Sequence, residues 1–231
     1  MGYKNILIDF DDTIVDFYDA EEWAFYYMAN LFNHKATKDD FLTFKKINHQ
    51  HWEAFQQNKL TKSEVLSERF VNYFKHHQME IDGHRADVLF RKGLAEAKIK
   101  YFDQTLETII ELSEKHNLYI VTNGVTETQK RRLNQTPLHK YFKNIYISEE
   151  TGHQKPSPDF FNYVFNDIGE TERKDSIIVG DSLTSDILGG INAGIATCWF
   201  NFRGFEPNFE IIPDYEINSW TQLKGIVDKE N

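Results

Sequence analysis

Cysteine is almost missing from this chain. Cys198 stands alone among 231 residues, so no disulfide can form within it. Small secreted disulfide scaffolds are excluded, and a reducing, cytoplasmic setting is expected. An excess of positive charge is missing too. Lysine and arginine number 26 against 36 aspartates and glutamates, a formal charge of -10, the wrong sign for a protein that tracks a nucleic-acid polymer. Long apolar runs are also lacking. No stretch approaches a membrane span, and the first apolar run stops at Asp9, too short for a secretory signal. Ile6 stands where a myristoylation signal needs Ser or Thr. The remaining composition, 40% hydrophobic and 27% charged, suits a globular protein with one full core and a small accessory domain.

Short runs rich in Ile, Val and aromatics recur at Ile6–Ile8, Leu118–Val121, Ile145–Ile147, Ile177–Val179 and Ala196–Phe200, and each reads as a buried strand. Helical periodicity separates the last four, as over Glu127–Tyr141 and Asp159–Ile168. Such alternation predicts an α/β fold with a parallel sheet covered by helices on both faces. Between Asp16 and Lys98 the rhythm breaks. No strand signal appears there, and Trp23, Tyr26, Tyr27, Asn30 and Leu31 fall at helical spacing. The expected division is a core of residues 1–15 and 99–231 with an all-helical insertion, residues 16–98, after the first strand. Asp19 with Glu22 resembles a capping box opening the first inserted helix. Gly93 to Asp103 is the expected return linker. The insertion's aromatics, among them Trp23, Phe41, Phe44, Trp52, Phe55 and Phe70, are expected to form its interior. His49 with His51, and His76 with His77, share no helix face, so they are expected to be packed or solvated and not to bind metal.

Ligands of open α/β sheets gather beyond the carboxyl ends of the strands, so the residues just after each run are informative. Asp9-Phe10-Asp11-Asp12-Thr13 succeeds the first and Thr122-Asn123-Gly124 the second. Lys155-Pro156 comes a few residues after the third, and Gly180-Asp181 comes after the fourth, with Asp186 just beyond. Crowded carboxylates repel and are neutralised unless a cation joins them. Oxygen ligands of this kind suit Mg²⁺, or Mn²⁺ in its place, and such an ion implies a phosphate-bearing substrate. Alternation along an extended chain puts Asp9 and Asp11 on one side and turns Asp12 away. Pro156-Ser157-Pro158 reads as a serine N-cap with proline at the first helical position, which leaves Lys155 free to point at the site. Thr13 either ties the loop's backbone or touches substrate, and both roles stay open.

Taken in order, each behind an apolar strand, D-x-D-x-T, T-N-G, K-P and G-D-x-x-x-x-D resemble the motifs of the haloacid dehalogenase superfamily of phosphohydrolases. The resemblance implies a Rossmann-like core with the helical insertion as its C1 cap. It implies Asp9 as the nucleophile that forms an aspartyl-phosphate, Asp11 as general acid and then base, and Lys155 offsetting charge on Asp9 and the phosphate. A dehalogenase lacks the second aspartate. It further implies Mg²⁺ held by the Asp9 side chain, the Asp11 backbone carbonyl and Asp181, with Asp186 behind them, and phosphate contacts from Thr122, Asn123, Gly124 and Thr13. "LYIVTNGVTETQKRRL", "FKNIYISEETGHQKPSPDFFNYVF", "IIVGDSLTSDILGGINAGIATCWFN" and "EIIPDYEINSWTQL" are similar to the YjjG/YfnB-type 5'-nucleotidases. That likeness implies a small phosphorylated metabolite as partner, a pyrimidine or modified nucleoside 5'-monophosphate hydrolysed to nucleoside and phosphate. The alternatives are a broad sugar-phosphate or phosphoglycolate phosphatase and a β-phosphoglucomutase-type phosphotransferase. Phe17 and Tyr18 are the aromatics best placed to stack on a base. Hinges are expected at Ile14–Asp16 and over 93–103; monomer and homodimer are equally compatible with the sequence.

Overall fold

The five apolar runs become strands β1 (Asn5–Ile8), β2 (Asn117–Thr122), β3 (Phe142–Ile147), β4 (Ser176–Gly180) and β5 (Ala196–Phe200), joined by a short β6 (Tyr215–Ile217). All pair in parallel, in the order β3-β2-β1-β4-β5-β6. β1 is central and buried at all four positions, because both faces of a parallel sheet are covered. Its register sets Ile8 against Ile120 on one side and Val179 on the other, which brings the ends of β1, β2 and β4 to one edge. The computed structural model describes residues 2–228 and divides into two units, Met1–Phe17 with Ile99–Asn231, and Tyr18–Lys98.

The second unit is helical: α1 (Tyr18–Leu31), α2 (Lys38–Gln56), α3 (Lys62–Lys75) and α4 (Gly83–Glu96). Thr37 with Asp40 and Thr61 with Glu64 close capping boxes at α2 and α3. The box expected at Asp19 and Glu22 does not form that entrance. Helix α1 has already begun at Tyr18, so Asp19 lies in its first turn, where an acid meets the positive end of the helix dipole. Phe25, Phe41, Phe44, Phe70, Tyr73 and Phe90 fill the interior, and Phe44 stacks between Phe25 and Phe70 at 5.0 and 5.4 Å. Trp23 is 57% exposed and falls outside that core. Gly93 lets α4 approach α1, since a Cβ there would stand 2.8 Å from the Ala24 Cα.

Helices α5 (Thr105–Ser113), α6 (Thr126–Leu133), α7 (Ser148–Thr151), α8 (Pro158–Ile168), α9 (Leu188–Ala193) and α10 (Trp220–Val227) belong to the sheet unit. β1 feeds two cores by alternation. Ile6 and Ile8 join Ile120, Val179, Phe200 and Trp220 on one face, while Leu7 meets Val121, Phe161 and Phe165 on the other. The helix expected over residues 127–141 stops at Leu133, and after Pro137 only a single 3₁₀ turn, Leu138–Lys140, remains. Ser157 caps α8 with Pro158 behind it, as the sequence predicts. Among the described residues no helix is long and apolar enough to cross a membrane.

Candidate active site

The first carboxylate appears one residue after β1. Asp9 donates its backbone N–H to Val179 O at 2.9 Å, which pins the start of the loop to β4. Lys155 is 1% exposed, and its ammonium donates to Asp9 Oδ1 and Asp186 Oδ1, both at 2.6 Å, and to Val121 O at 2.8 Å. Its three protons thus have three acceptors. Burial opposes its charge, but Asp186 and Asp9 outweigh burial and hold its pKa above the ordinary lysine value.

Asp9, Asp181 and Asp186 each bring a carboxylate oxygen within 4.8 Å of the others. One lysine does not balance three carboxylates. Burial pushes Asp9 up to about 8, with Lys155 pulling down and Asp186 and Asp11 pushing further up. Burial also raises Asp181 well above the carboxylate range, helped by Asp12, Asp186 and Asp9. Crowded oxygen donors that resist ionisation fit a hard divalent cation.

Asp186 stands behind this group. Its Oδ1 is taken by Lys155 and its Oδ2 accepts from Ser182 N at 3.1 Å. Gly180 makes the room, because a Cβ there would lie 2.2 Å from Asp186 Oδ2. Trp199 Nε1 donates to Asp181 O at 2.8 Å. Thr13 is fully buried, and its hydroxyl accepts from Asp181 N at 3.0 Å. Trp220 Nε1 donates to Thr13 O at 2.9 Å. With no exposed surface and its hydroxyl engaged, Thr13 ties the loop to Asp181.

At the end of β2, Thr122 Oγ1 accepts from Gly124 N at 3.2 Å and Gln129 Nε2 at 2.9 Å. The Asn123 side chain is committed elsewhere. Its Nδ2 donates to Lys155 O at 2.8 Å and its Oδ1 accepts from Lys155 N at 2.9 Å, so it clamps the lysine's backbone and is not itself turned to an anion. Gly124 admits Gln129, whose side chain would lie 2.5 Å from a Cβ at that position.

Asp11 is held by two residues that the sequence motifs do not mark. The Arg132 guanidinium pairs with Asp11 Oδ1, and Gln129 Nε2 donates to Asp11 Oδ2 at 2.9 Å. Arg132 is 1% exposed and lies 5.1 Å from the ring centres of both Phe10 and Phe17. In "TETQKRRL" these residues fall within the helix expected over 127–141, with no motif to single them out. The usable signal was their spacing of three behind T-N-G, which puts them on one face. Phe17 therefore covers Arg132, and Tyr18 sets its ring edge-on against Phe41 at 5.3 Å, so both expected stacking surfaces are engaged.

Asp12 does turn away, though not by strand alternation. The chain leaves extended geometry at Phe10, and Asp12 adopts φ 56°. Its Oδ1 accepts from Phe17 N at 3.0 Å and from Arg203 Nη2 at 2.7 Å. Cys198 is no nucleophile, since burial pushes its thiol up to about 12.

A model of the haloacid dehalogenase-like hydrolases matches residues 6–200. The chain is 41% identical to the HAD-hydrolase YfnB of Bacillus subtilis over 99% of this chain and 97% of that one. A crystal structure of YfnB bound to magnesium matches with a TM-score of 0.94 at 40% identity, over 99% of this chain and 100% of the other. Pyrimidine 5'-nucleotidase PynA of Streptococcus pneumoniae is 33% identical over 99% of this chain and 97% of its own length. Pyrimidine 5'-nucleotidase YjjG of Escherichia coli is 29% identical over 92% and 97%.

Proposed function

The chain belongs to the haloacid dehalogenase-like hydrolases, and from that membership we propose that it is a Mg²⁺-dependent 5'-nucleotidase for pyrimidine nucleoside 5'-monophosphates. Its reaction class is phosphoric monoester hydrolysis. The chemistry rests on one observation: Asp9, at the end of the central strand, is joined to buried Lys155 beside Asp181 and Asp186. The substrate class rests on PynA and YjjG, which match nearly the whole chain and are both named pyrimidine 5'-nucleotidases.

In the proposed reaction Asp9 attacks phosphorus and forms an aspartyl-phosphate, which divides one difficult displacement into two easier ones. Asp11 protonates the leaving ester oxygen and then takes a proton from the water that hydrolyses the intermediate. Lys155 offsets charge on the nucleophile and the phosphoryl oxygens, with Thr122 and the backbone amides of Asn123 and Gly124 as further donors. Asp9, Asp181 and the Asp11 carbonyl would hold Mg²⁺, or Mn²⁺ in its place, braced by Asp186. The ion, when bound, supplies charge neutralisation for the transferring group. Arg132 and Gln129 orient the Asp11 carboxylate. The helical unit serves as the cap that selects the substrate.

Phosphate release with Mg²⁺, measured over uridine and thymidine 5'-monophosphates, purine nucleotides, sugar phosphates and phosphoglycolate, tests the reading. A pyrimidine preference in kcat/KM is expected, with loss of activity in EDTA and recovery on adding Mg²⁺. A preference for sugar phosphates or phosphoglycolate would overturn the nucleotide assignment. Return of the phosphoryl group to a sugar phosphate without release of inorganic phosphate would instead indicate a phosphotransferase.

A further inference from the structure

A second group of metal-ligating side chains lies within the helical unit, away from the carboxylates of the sheet unit in sequence and in chemistry. His34 sits in the turn after α1, Asp40 in the first turn of α2, and His77 just after α3. Each offers one ligand atom, and these atoms lie within 4.8 Å of one another. His77 Nε2 is 3.1 Å from Asp40 Oδ1, and the imidazoles of His34 and His77 lie with ring centres 4.4 Å apart, tilted by 51°. We propose that His34, Asp40 and His77 bind one divalent transition-metal ion of the Zn²⁺ class.

Two of the three ligands are held in place by something other than the ion. Tyr73, fully buried in the aromatic interior, places its hydroxyl 2.8 Å from His34 Nε2, which fixes the rotation of that ring. Asp40 uses Oδ2 to accept from Thr37 N at 2.7 Å and Thr37 Oγ1 at 2.8 Å, so the capping box aims the other oxygen at His77. Hydrogen bonds that orient the ligands are what metal-binding histidines and carboxylates ordinarily need. The His77 and Asp40 side chains are 28% and 19% exposed, which leaves a path for entry.

The donor geometry is close to what an ion requires. Zn²⁺ lies about 2.0–2.2 Å from nitrogen and oxygen ligands, so tetrahedral donors stand roughly 3.3–3.6 Å apart. Small side-chain rotations bring three atoms already within 4.8 Å to that spacing. An ion pair between His77 and Asp40 accounts for two of the residues. It leaves out His34, whose ring brings a third ligand atom within 4.8 Å of the other two. Two neutral imidazoles and a carboxylate select Zn²⁺, Cu²⁺ or Ni²⁺ over Mg²⁺, whereas three carboxylates at the sheet edge select the reverse. Comparing His77 with its chain neighbour His76 does not reveal this group, because its partners are contributed by two other elements.

A bound ion would tie the turn after α1 and the end of α3 to the start of α2. The test uses the full chain dialysed with Zn²⁺ in excess Mg²⁺, so that the carboxylate site is occupied by the hard cation, and measures retained zinc by mass spectrometry. One equivalent is expected, with affinity at least about tenfold lower in His34→Gln and in His77→Gln. His49→Gln, which alters an exposed histidine beside Glu53, should keep it. If either variant fails to fold, Cu²⁺ bound to the unaltered chain in excess Mg²⁺ decides the matter by electron paramagnetic resonance, where coupling to two imidazole nitrogens is expected. No retained zinc, equal retention in both histidine variants, or a copper spectrum without nitrogen coupling would overturn the proposal.

Discussion

Arg132 holds Asp11. The guanidinium pairs with one carboxylate oxygen, and Gln129, one turn earlier on α6, donates to the other and to Thr122 Oγ1. Both oxygens of the proposed acid and base are thereby positioned by a single helix. The arrangement carries a cost, because Arg132 Nε is buried without a hydrogen-bond partner. An unsatisfied buried donor costs about 1–3 kcal/mol, and such costs collect where function needs a group in one place.

Arg132→Ala should therefore lower kcat for a nucleoside monophosphate by roughly 10²-fold, the lower end of what general acid–base catalysis contributes. The loss should shrink for p-nitrophenyl phosphate, whose leaving group departs without a proton. Equal losses on both substrates would remove Asp11 positioning from the account of Arg132.

Asp9→Asn should retain the fold and lose turnover by about 10³-fold or more, as removal of a nucleophile does. Circular dichroism and phosphate release read the two properties separately. Turnover near that of the unaltered chain would exclude Asp9 from the nucleophile's role.

Burial raises Asp9 from an ordinary 3.8 to about 8 in the metal-free fold. Between those values the folded chain keeps a proton that the unfolded chain has released. Stability of the metal-free protein consequently falls as pH rises through that window and levels off above it. Mg²⁺ displaces the proton, so the rise in Tm on adding Mg²⁺ should be larger at pH 8 than at pH 6. Thermal melts with and without the ion check this, and an equal or reversed increment would contradict the assignment of Asp9 as a ligand.

Gly180→Ala places a methyl group 2.2 Å from Asp186 Oδ2, an oxygen fixed by the Ser182 N–H. Relief requires moving either β4 or the carboxylate that anchors Lys155. Overpacking of this kind costs about 1–3 kcal/mol, and the displaced Asp186 should also weaken Mg²⁺ activation. Denaturant unfolding and a Mg²⁺ titration measure the two effects; an unchanged midpoint would show that the carboxylate gives way freely.

The sheet was legible because buried parallel strands are written as unbroken apolar runs, and its edge because each run ends in a polar residue such as Asp9, Thr122 or Asp181. β6 was not, since Tyr215–Ile217 is three residues long and lies at the edge of the sheet. Periodicity alone extends the helix at 127–141 past Pro137, where the missing N–H and fixed φ end it. Arg132 and Gln129 were hidden by composition: their segment is charged enough to read as solvated, and only tertiary packing turns these two side chains inward. Arg203 carries no signal for a related reason, as its partners Asp12 and Asp16 lie nearly two hundred residues away. At Asn123 the sequence marks the position and leaves the task of the side chain open. A motif marks a position, and hydrogen bonds decide whether the side chain meets the ligand or the lysine beside it.

The bond from Trp220 Nε1 to Thr13 O spans 207 positions. Thr13 in turn carries Asp181 through its hydroxyl, so the loop that begins at Asp9 is braced by a residue of the last described helix. During synthesis β1 leaves the ribosome first, yet its loop gains this support only after residue 220 has emerged. The strand that ends at the proposed nucleophile is thus among the first made, while the side chain that braces its loop is among the last, so the loop's native support needs both ends of the described chain.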